Sequence, residues 1–561
     1  MTQRPILQPL TQRPILQPLT QRLILPVWSA ALALLVLFPL LGRGFVLSYD
    51  MVFAPHHSLL PDSLGMGTTP PRSVPADAVV ALLTTVLPGD LVQKLLLAAA
   101  LTLGPLGAGR LVPTDSTATR LVAATTYGWT PYIAERLFMG HWPYLLAYAC
   151  LPWIASAGLD LRTRNSLARL VLWAAPAALT PTGGLLAAGT ALAASGWRKA
   201  HLVTPALLVL NLPWLVPSLL RSTSVLSAPQ AVDLFAAKGE NWAGAVVAVL
   251  SSGGFWNADV VPASRTLPLV PVLTLALVAA ALLSFPVLIR KTPGLVPLGV
   301  VGLVFALLAH LPFGETALEW AVSTVPGTAL LRDAQKWVAW WALPLAIGFA
   351  LTVEAASRRG YHRLVPAVAT ALPLIAMPDL AWAGWGRLDT VQYPADWAEV
   401  REFLADDQRP GDVLALPLGA FRRFEWNDNR TQLDPAPRVL PRTTVVDDTV
   451  YVDGTPVPGE DTRLPAIREA LRDNDLGRTG IGWVLVEHGT PGELPDTSHL
   501  TEVFRGPWLT LYRVPGDITA ATTTAPTATI AGNLAALALL AGCLLWQRLP
   551  TGRLWFHRRE E

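Results

Sequence analysis

The sequence predicts a polytopic α-helical membrane protein of about 12 spans that carries a small α/β domain on its outer face. Three observations lead there. The 561 residues are 52% hydrophobic and 15% charged, with a mean hydropathy of +0.42, which fits a multi-spanning chain and not a soluble one. Apolar runs long enough to cross a bilayer recur from residue 23 to 383 and again at 527–547. Between them, residues 384–526 change composition and alternate helix-like with strand-like stretches.

The elements follow in order. Residues 1–22 read as a cytoplasmic tail in which TQRPILQPL occurs twice and TQRLILP begins a third copy. That unit is too short for a solenoid and reads as a local duplication. Arg4, Arg13 and Arg22 precede the first span, Leu23 to Leu41, and place its start in the cytoplasm. The Phe45-Val46-Leu47-Ser48 that follows is no small-residue cleavage site, so the span is an anchor. Asp50 then emerges on the outer side, close to the membrane surface. Further apolar runs lie at 91–112, 121–138, 143–160, 170–196, 201–220, 267–289, 293–312, 337–355, 364–383 and 527–547. Basic clusters mark cytoplasmic ends: Arg162, Arg164 and Arg169; Arg198 and Lys199; Arg290 and Lys291; Arg358, Arg359 and Arg363; Arg548, Arg553, Arg558 and Arg559.

Two of those clusters are separated by a single run, 170–196, so this run must cross twice. It contains Pro176, Thr180-Pro181-Thr182 and Gly183-Gly184. It therefore reads as a hairpin of two short helices turning at Thr180–Gly184, with both chain termini cytoplasmic. Four outer segments result: 43–90, with an amphipathic stretch near Asp77–Leu87 that lies along the interface; 221–266; 313–336; and 384–526. In the last, Asp396–Ala405 and Leu464–Leu471 read as helices, and Asp412–Pro417, Thr444–Val446, Gly482–Glu487, Leu500–Phe504 and Trp508–Val514 as strands. Thr519–Thr529 links it to the last span. The organisation is thus a tail (1–22), a membrane module (23–383), an outer α/β domain (384–526), a last helix (527–548) and a tail (549–561).

Polar groups at membrane depth are expensive, so each receives a functional and a structural reading. Asp50 is a general base or metal ligand, or a solvated carboxylate flanking a helix. The neighbouring His56 and His57 can bind phosphate or metal, or be solvated. Glu135, Arg136, His141 and Trp142 sit where two spans meet with almost no loop, so they point into a bundle or groove. Arg332 and Lys336 are four apart and share one face if helical, which suits a lipid-linked phosphate. Asp333 beside them allows the blander reading of an interfacial ion pair. Segment 233–265 holds Asp233, Lys238, Glu240, Trp242, Trp256, Asn257 and Arg265, a set that suits sugar stacking or a plain aromatic belt. Arg422, Arg423, Trp426, Asn427, Asp428, Asn429 and Arg430 form an aromatic and amide-rich stretch that suits glycan binding or an ordinary surface.

Net charge is only +2 and says little about partners, because the charges are segregated by membrane side; the partners expected are a bilayer, a lipid-linked donor and a glycan, and no nucleic acid. Cys150 and Cys543 both lie in apolar runs and imply neither disulfide nor metal framework. There is no Walker loop, no GxGxxG opening a helix, no HExxH and no paired CxxC, so nucleotide-driven transport and nucleotide-sugar chemistry are unsupported.

This layout resembles the GT-C class of integral-membrane glycosyltransferases, particularly the actinobacterial envelope enzymes. The resemblance rests on the acid in the first outer loop (Asp50), the interfacial helix after it, the short outer loop at 135–142 and the outer α/β domain. It implies a polyprenyl-phosphate-sugar donor arriving through the bilayer of the plasma membrane. The acceptor would be an envelope glycan or glycolipid, with arabinofuranose and mannose the candidate sugars. By the same resemblance Asp50 is the general base of an inverting displacement. Arg332, Lys336, Arg136, His141 and Arg265 stabilise the leaving phosphate, and His56, His57, Glu135, Asp233, Glu240, Trp242, Trp256 and Asp333 contact substrate. Many such enzymes carry two acids in the first loop. Positions 49–52 here supply one, which leaves a divalent cation open as cofactor and favours Asp50 as a base. Twelve spans with a broken hairpin also fit a transporter or flippase of a lipid-linked saccharide, and an outer domain fits a non-catalytic envelope-assembly protein.

Overall fold

The computed structural model describes residues 19–548, apart from 68–70, 72, 221–228, 230, 326, 362–363, 453, 458, 460 and 520–525. Most of the nonamer repeat, Arg4, Arg13, Arg363 and the basic residues after Arg548 lie outside the described residues.

The membrane part begins with α1 (Leu19–Leu37), α2 (Ala76–Thr84), α3 (Gly89–Leu111), α4 (Thr117–Gly128), α5 (Pro131–Phe138), α6 (Trp142–Leu159), α7 (Arg164–Ala174), α8 (Pro181–Ser195) and α9 (Ala200–Leu220). Helices Val270–Lys291, Leu295–Ala306, Gly314–Thr324, Ala339–Ala356, Leu364–Ala376 and Thr527–Gln547 complete it. Six stretches among the described residues are long and apolar enough to cross a membrane: Arg22–Leu41, Gly89–Leu111, Trp197–Leu220, Val270–Lys291, Ala334–Gly360 and Thr527–Gln547. A pair bent by 65°, Leu364–Ala376 with Pro378–Trp385, makes a seventh if counted as one span. The other expected runs fold as shorter or broken helices.

Two of the breaks have a shared chemical cause. Run 121–138 divides where Thr130 Oγ1 accepts from Ile133 N at 3.3 Å and Pro131 opens α5. Run 170–196 divides where Thr180 Oγ1 accepts from Gly183 N at 3.2 Å and Pro181 opens α8. Threonine satisfies an orphan N–H at a helix start, and proline is tolerated at the first helical position. The hairpin therefore turns at 175–180, ahead of the expected Thr180–Gly184, because Thr180-Pro181 begins the second helix. Small residues let the helices approach closely: α3 packs on α6 where Gly104 meets Ala149. Helix Thr527–Gln547 packs on α7 and α9.

Residues 390–513 build a five-stranded mixed sheet on their own core. The strands in chain order are β1 (Phe45–Val46), β2 (Thr390–Val391), β3 (Asp412–Leu416), β4 (Phe421–Arg423), β5 (Thr431–Leu433), β6 (Thr444–Val445), β7 (Val450–Val452), β8 (Thr455–Val457), β9 (Ile481–Glu487), β10 (Thr501–Arg505) and β11 (Leu509–Arg513). The sheet order is β10-β11-β9-β3-β6, with β3 parallel to β9 and β6 and the other pairs antiparallel. All of β9 is buried. Its alternate residues serve two cores, as the period of two requires. Trp483 and Leu485 pack with Trp397, Val400 and Leu404 of helix Asp396–Asp406. Val484 and Val486 pack with Leu464, Ile467 and Ala470 of helix Leu464–Arg472. Each such Val, Leu or Ile side chain contributes about 1.5–3 kcal/mol. Asp396 does not act as a helix cap; its carboxylate accepts from Trp508 N at 2.7 Å and Leu509 N at 3.0 Å, tying the helix to β11.

Three small pairings join this sheet to the membrane part. Strand β1, between α1 and α2, pairs with β2. The β4–β5 hairpin is fixed against β9 by Arg422, buried and ion-paired to both Asp434 and Glu487. Hairpin β7–β8 packs Val452 and Val457 on Ala231 and Phe235.

Candidate functional site

Asp50 stands at the tip of a tight turn in which Ser48 and Met51 bridge. Every side of that turn is held. Gln93 of α3, fully buried, accepts from Val46 N at 2.9 Å and donates to Val46 O at 2.7 Å. Asn427 Nδ2 donates to Leu47 O at 3.2 Å. Tyr49 N donates to Thr431 O at 2.6 Å, and Leu433 N donates to Tyr49 O at 2.7 Å, so β5 grips the turn. Asp50 N donates to Met139 O at 3.1 Å. This clamping permits Tyr49 a φ of 44°, a conformation that non-glycine residues hold only when their surroundings impose it.

The turn between α5 and α6 lies directly against it. Gly140 has φ +80°, and a Cβ there would stand 2.2 Å from Met51 N and 2.4 Å from Ser48 O. Only glycine fits, and its absence of side chain brings His141 beside Asp50.

From Asp50 a chain of contacts runs into the bundle. His141 Nε2 is 3.0 Å from Asp50 Oδ2, and His141 Nδ1 is 2.8 Å from Arg136 Nη1. A guanidinium only donates, so Nδ1 accepts and Nε2 carries the hydrogen given to Asp50. Arg136 is fully buried. It forks onto Asp333, Nη1 to Oδ2 at 2.8 Å and Nη2 to Oδ1 at 3.1 Å, and its Nε donates to Gln335 Oε1 at 2.9 Å. Phe255 closes one face of the guanidinium, 4.6 Å from ring centre to Cζ. Burial opposes ionisation of Asp333, but the charge and hydrogen bonds of Arg136, then Lys336 and His141, prevail and hold its carboxyl down at about 2.

Gln335 extends the chain by donating to Glu135 Oε2 at 3.0 Å. Glu240 is buried, accepts from Arg265 Nε at 2.6 Å and from Gly254 N, and lies against Glu135. Counted as two carboxylates, the pair leaves Glu135 Oε1 without a partner. A Cβ at Gly253 would fall 2.1 Å from Glu240 Oε1, so this glycine makes room for the pair.

The structure thus joins Asp50, Glu135, Arg136, His141, Glu240, Arg265 and Asp333 through direct contacts. Two expectations change. Arg136 and Arg265 are not open to a phosphate, because Asp333 and Glu240 already neutralise them. Arg332 and Lys336 do not share a continuous helix: Arg332 ends a short 3-10 turn, Asp333 has φ −77° and ψ 95°, and Lys336 lies in a second 3-10 turn. Each cation has its own setting. Arg332 lies over the Phe235 ring, 4.6 Å from its centre, and Lys336 is 4% exposed with no ion pair to Nζ among the described residues.

Other sequence candidates lie apart. His56 is exposed. His57 is buried, 3.8 Å from Asp77 of α2, which also meets Arg438 at 3.5 Å. Burial, opposed by Asp77 and aided by Arg438, pushes the His57 imidazole down to about 4. Asp233 is exposed. Trp242 is 68% exposed and donates to Pro268 O. Trp256 packs on Phe255 and Phe235 and so touches the site only through rings. Gln93 and Gly140 were missed by sequence reasoning; the Met139-Gly140-His141 spacing, a glycine in a nearly loopless turn, was the available signal. Among the described residues no group of three or more His, Cys, Asp or Glu side chains could hold a metal ion.

No family model matches the sequence, and no curated protein does. Two solved structures of the arabinofuranosyltransferase AftD from mycobacteria are similar to this chain, with TM-scores of 0.51 and 0.52 at 17% identity. The match covers 89% of this chain but 40% and 42% of AftD, so the chain spans about two fifths of that protein's length. The likeness shows the fold alone: over the matched part this chain shares the largely helical architecture of that protein.

Proposed function

We propose that this chain is a cell-envelope glycosyltransferase that takes a sugar from a polyprenyl-phosphate donor in the membrane and passes it to a glycan or glycolipid on the outer face. One observation carries the reading. A carboxylate 38% exposed at the bundle's rim, Asp50, is the open end of a buried chain through His141 and Arg136 to Asp333. Such a chain fixes the orientation of its last member, which is what a general base needs. The GT-C-type fold and the arabinofuranosyltransferase activity named for AftD support the same class.

In this proposal Asp50 accepts the proton of the acceptor hydroxyl. The acceptor oxygen bonds to the anomeric carbon as the bond from that carbon to the lipid phosphate breaks, with inversion. Lys336, with Arg332 beside it, stabilises the departing phosphate. His141, Arg136 and Asp333 position Asp50 and do not touch the donor. The bundle crosses the plasma membrane about 12 times, the shorter helices α4–α5, α6, α7, α8 and Leu295–Ala306 included, with cytoplasmic termini and residues 384–526 outside.

Reconstituted protein given radiolabelled polyprenyl-phosphate arabinofuranose or mannose with a glycan acceptor should form labelled glycan. Labelled lipid moved across the bilayer, with no glycan formed, would instead support a transporter.

A further inference from the structure

Residues 382–386 form a left-handed turn. All five have positive φ: Trp382 (φ 53°, ψ 50°), Ala383 (φ 56°, ψ 40°), Gly384 (φ 71°, ψ 38°), Trp385 (φ 54°) and Gly386 (φ 82°, ψ 10°). Glycine visits this region freely, whereas other residues enter it singly and at a cost, because Cβ crowds the following carbonyl oxygen. Three non-glycine residues hold it together only where their surroundings impose it. The inner side supplies one such constraint. Ala383 is fully buried, its O accepts from Leu388 N at 3.0 Å, and a Cβ on Gly384 would stand 2.7 Å from the Phe138 ring. Phe138 O in turn accepts from Ser48 Oγ at 2.9 Å, so the left-handed turn rests on the element that holds the Asp50 turn.

The outer side is uncovered. Trp382 and Trp385, three apart and so on one face of a helical turn of either hand, are 50% and 68% exposed. No hydrogen bond links either indole N–H to a described residue. The Trp382 ring lies 6.0 Å from that of Phe38, itself exposed near the end of span Arg22–Leu41. From Phe38 an exposed apolar stripe continues down that span through Leu34 and Val27. A second stripe, Ile375 and Val368, runs down helix Leu364–Ala376, the other arm of the bent pair that ends at Trp385. The two indoles thus stand where two lipid-facing stripes end, on the side of Asp50.

We propose that residues 382–386 are a membrane-interface anchor, with both indoles seated among the headgroups of the leaflet on the Asp50 side. An amphipathic ring at the end of an apolar stripe suits that layer, its body toward the acyl chains and its N–H toward ester and phosphate oxygens. Continuity with the two lipid-facing stripes selects the bilayer over a soluble partner. The exposed charges that flank the surface in the chain, Arg43, Arg387 and Asp389, carry both signs, so the anchor reads depth and not headgroup identity. The left-handed turn presents both indoles outward while Ala383 and Gly384 seat inward at Phe138. The anchor does not depend on the transfer reaction.

The test uses the full chain in vesicles of phosphatidylcholine brominated either near the headgroup or near the chain ends. The fluorescence of the two indoles is the difference between wild type and a Trp382→Phe, Trp385→Phe double variant of unchanged unfolding temperature. That difference should be strongly quenched by bromine near the headgroup and less by bromine near the chain ends. The same difference measured in a Gly384→Val background, where a branched side chain opposes the left-handed turn and meets Phe138, should lose this depth pattern. Absence of quenching by either lipid, as for indoles in water or covered by protein, or stronger quenching by the chain-end bromine, would overturn the proposal. So would an unchanged depth pattern in folded Gly384→Val.

Discussion

Arg136 and Asp333, 197 residues apart in the chain, meet in a two-pronged ion pair of 2.8 and 3.1 Å between α5 and the segment that opens helix Ala339–Ala356. Removing one partner leaves the other charge buried. Asp333→Ala should therefore cost about 3–5 kcal/mol, where an exposed pair would cost under about 1 kcal/mol. Thermal unfolding of the reconstituted protein measures the difference. Acid adds a second test. The folded Asp333 carboxyl sits near 2, below its ordinary value near 4, so its stabilisation is complete above pH 4 and fades as pH falls from 4 toward 2. Asp333→Asn should lack that acid limb, worth about 2 kcal/mol.

His141 separates two roles by kinetics. As a positioning residue for Asp50, its replacement by Ala should lower kcat and leave the donor KM unchanged. As a phosphate ligand, the role that sequence suggested, its loss should raise the donor KM. Initial rates over a donor titration distinguish them, and an unchanged kcat would remove His141 from the chain leading to Asp50.

Gly140→Ala tests the close approach of the two turns. A methyl group 2.2 Å from Met51 N forces either turn to move, and the positive φ adds strain of about 1–3 kcal/mol. Transfer should fall sharply with only a modest loss in unfolding temperature. Wild-type transfer by this variant would mean that the turns do not need their present contact.

His57 should make the junction between α2 and the α/β part sensitive to acid. Its folded value near 4 lies below the ordinary 6.5. The fold therefore has its full stability above pH 6.5 and loses about 3 kcal/mol as pH falls from 6.5 to 4, because the unfolded chain takes up a proton that the buried ring resists. Unfolding temperatures across that range should decline less in His57→Gln. Parallel declines in both proteins would assign the acid sensitivity to other groups.

Apolar runs made much of this molecule legible in advance. Strands expected at 412–417, 482–487 and 508–514 appear at 412–416, 481–487 and 509–513, because strands buried on both faces read as short continuous apolar runs. The short pairs β1–β2 and β4–β5 were not legible. Each has two or three residues per strand and is held by partners hundreds of residues away, such as Thr431 on Tyr49. In the site, polarity at membrane depth pointed to Asp50, Glu135, Arg136, His141, Glu240, Arg265 and Asp333. What local sequence could not convey was pairing. Arg136 and Arg265 looked available for a ligand until the fold brought Asp333 and Glu240 to them. His56 and His57 looked like neighbours of Asp50 by number alone, whereas the chain carries His57 away to Asp77.

The central claim concerns Asp50. Its most direct test is transfer of radiolabelled sugar from polyprenyl phosphate by Asp50→Asn at saturating donor and acceptor, beside wild type and Asp50→Glu. The amide keeps the size of the side chain and its contact with His141 but cannot take a proton. The account expects a fall in kcat of about 100-fold or more for Asp50→Asn, with donor KM and unfolding temperature near wild type, and partial activity in Asp50→Glu. A kcat for Asp50→Asn equal to wild type would contradict it.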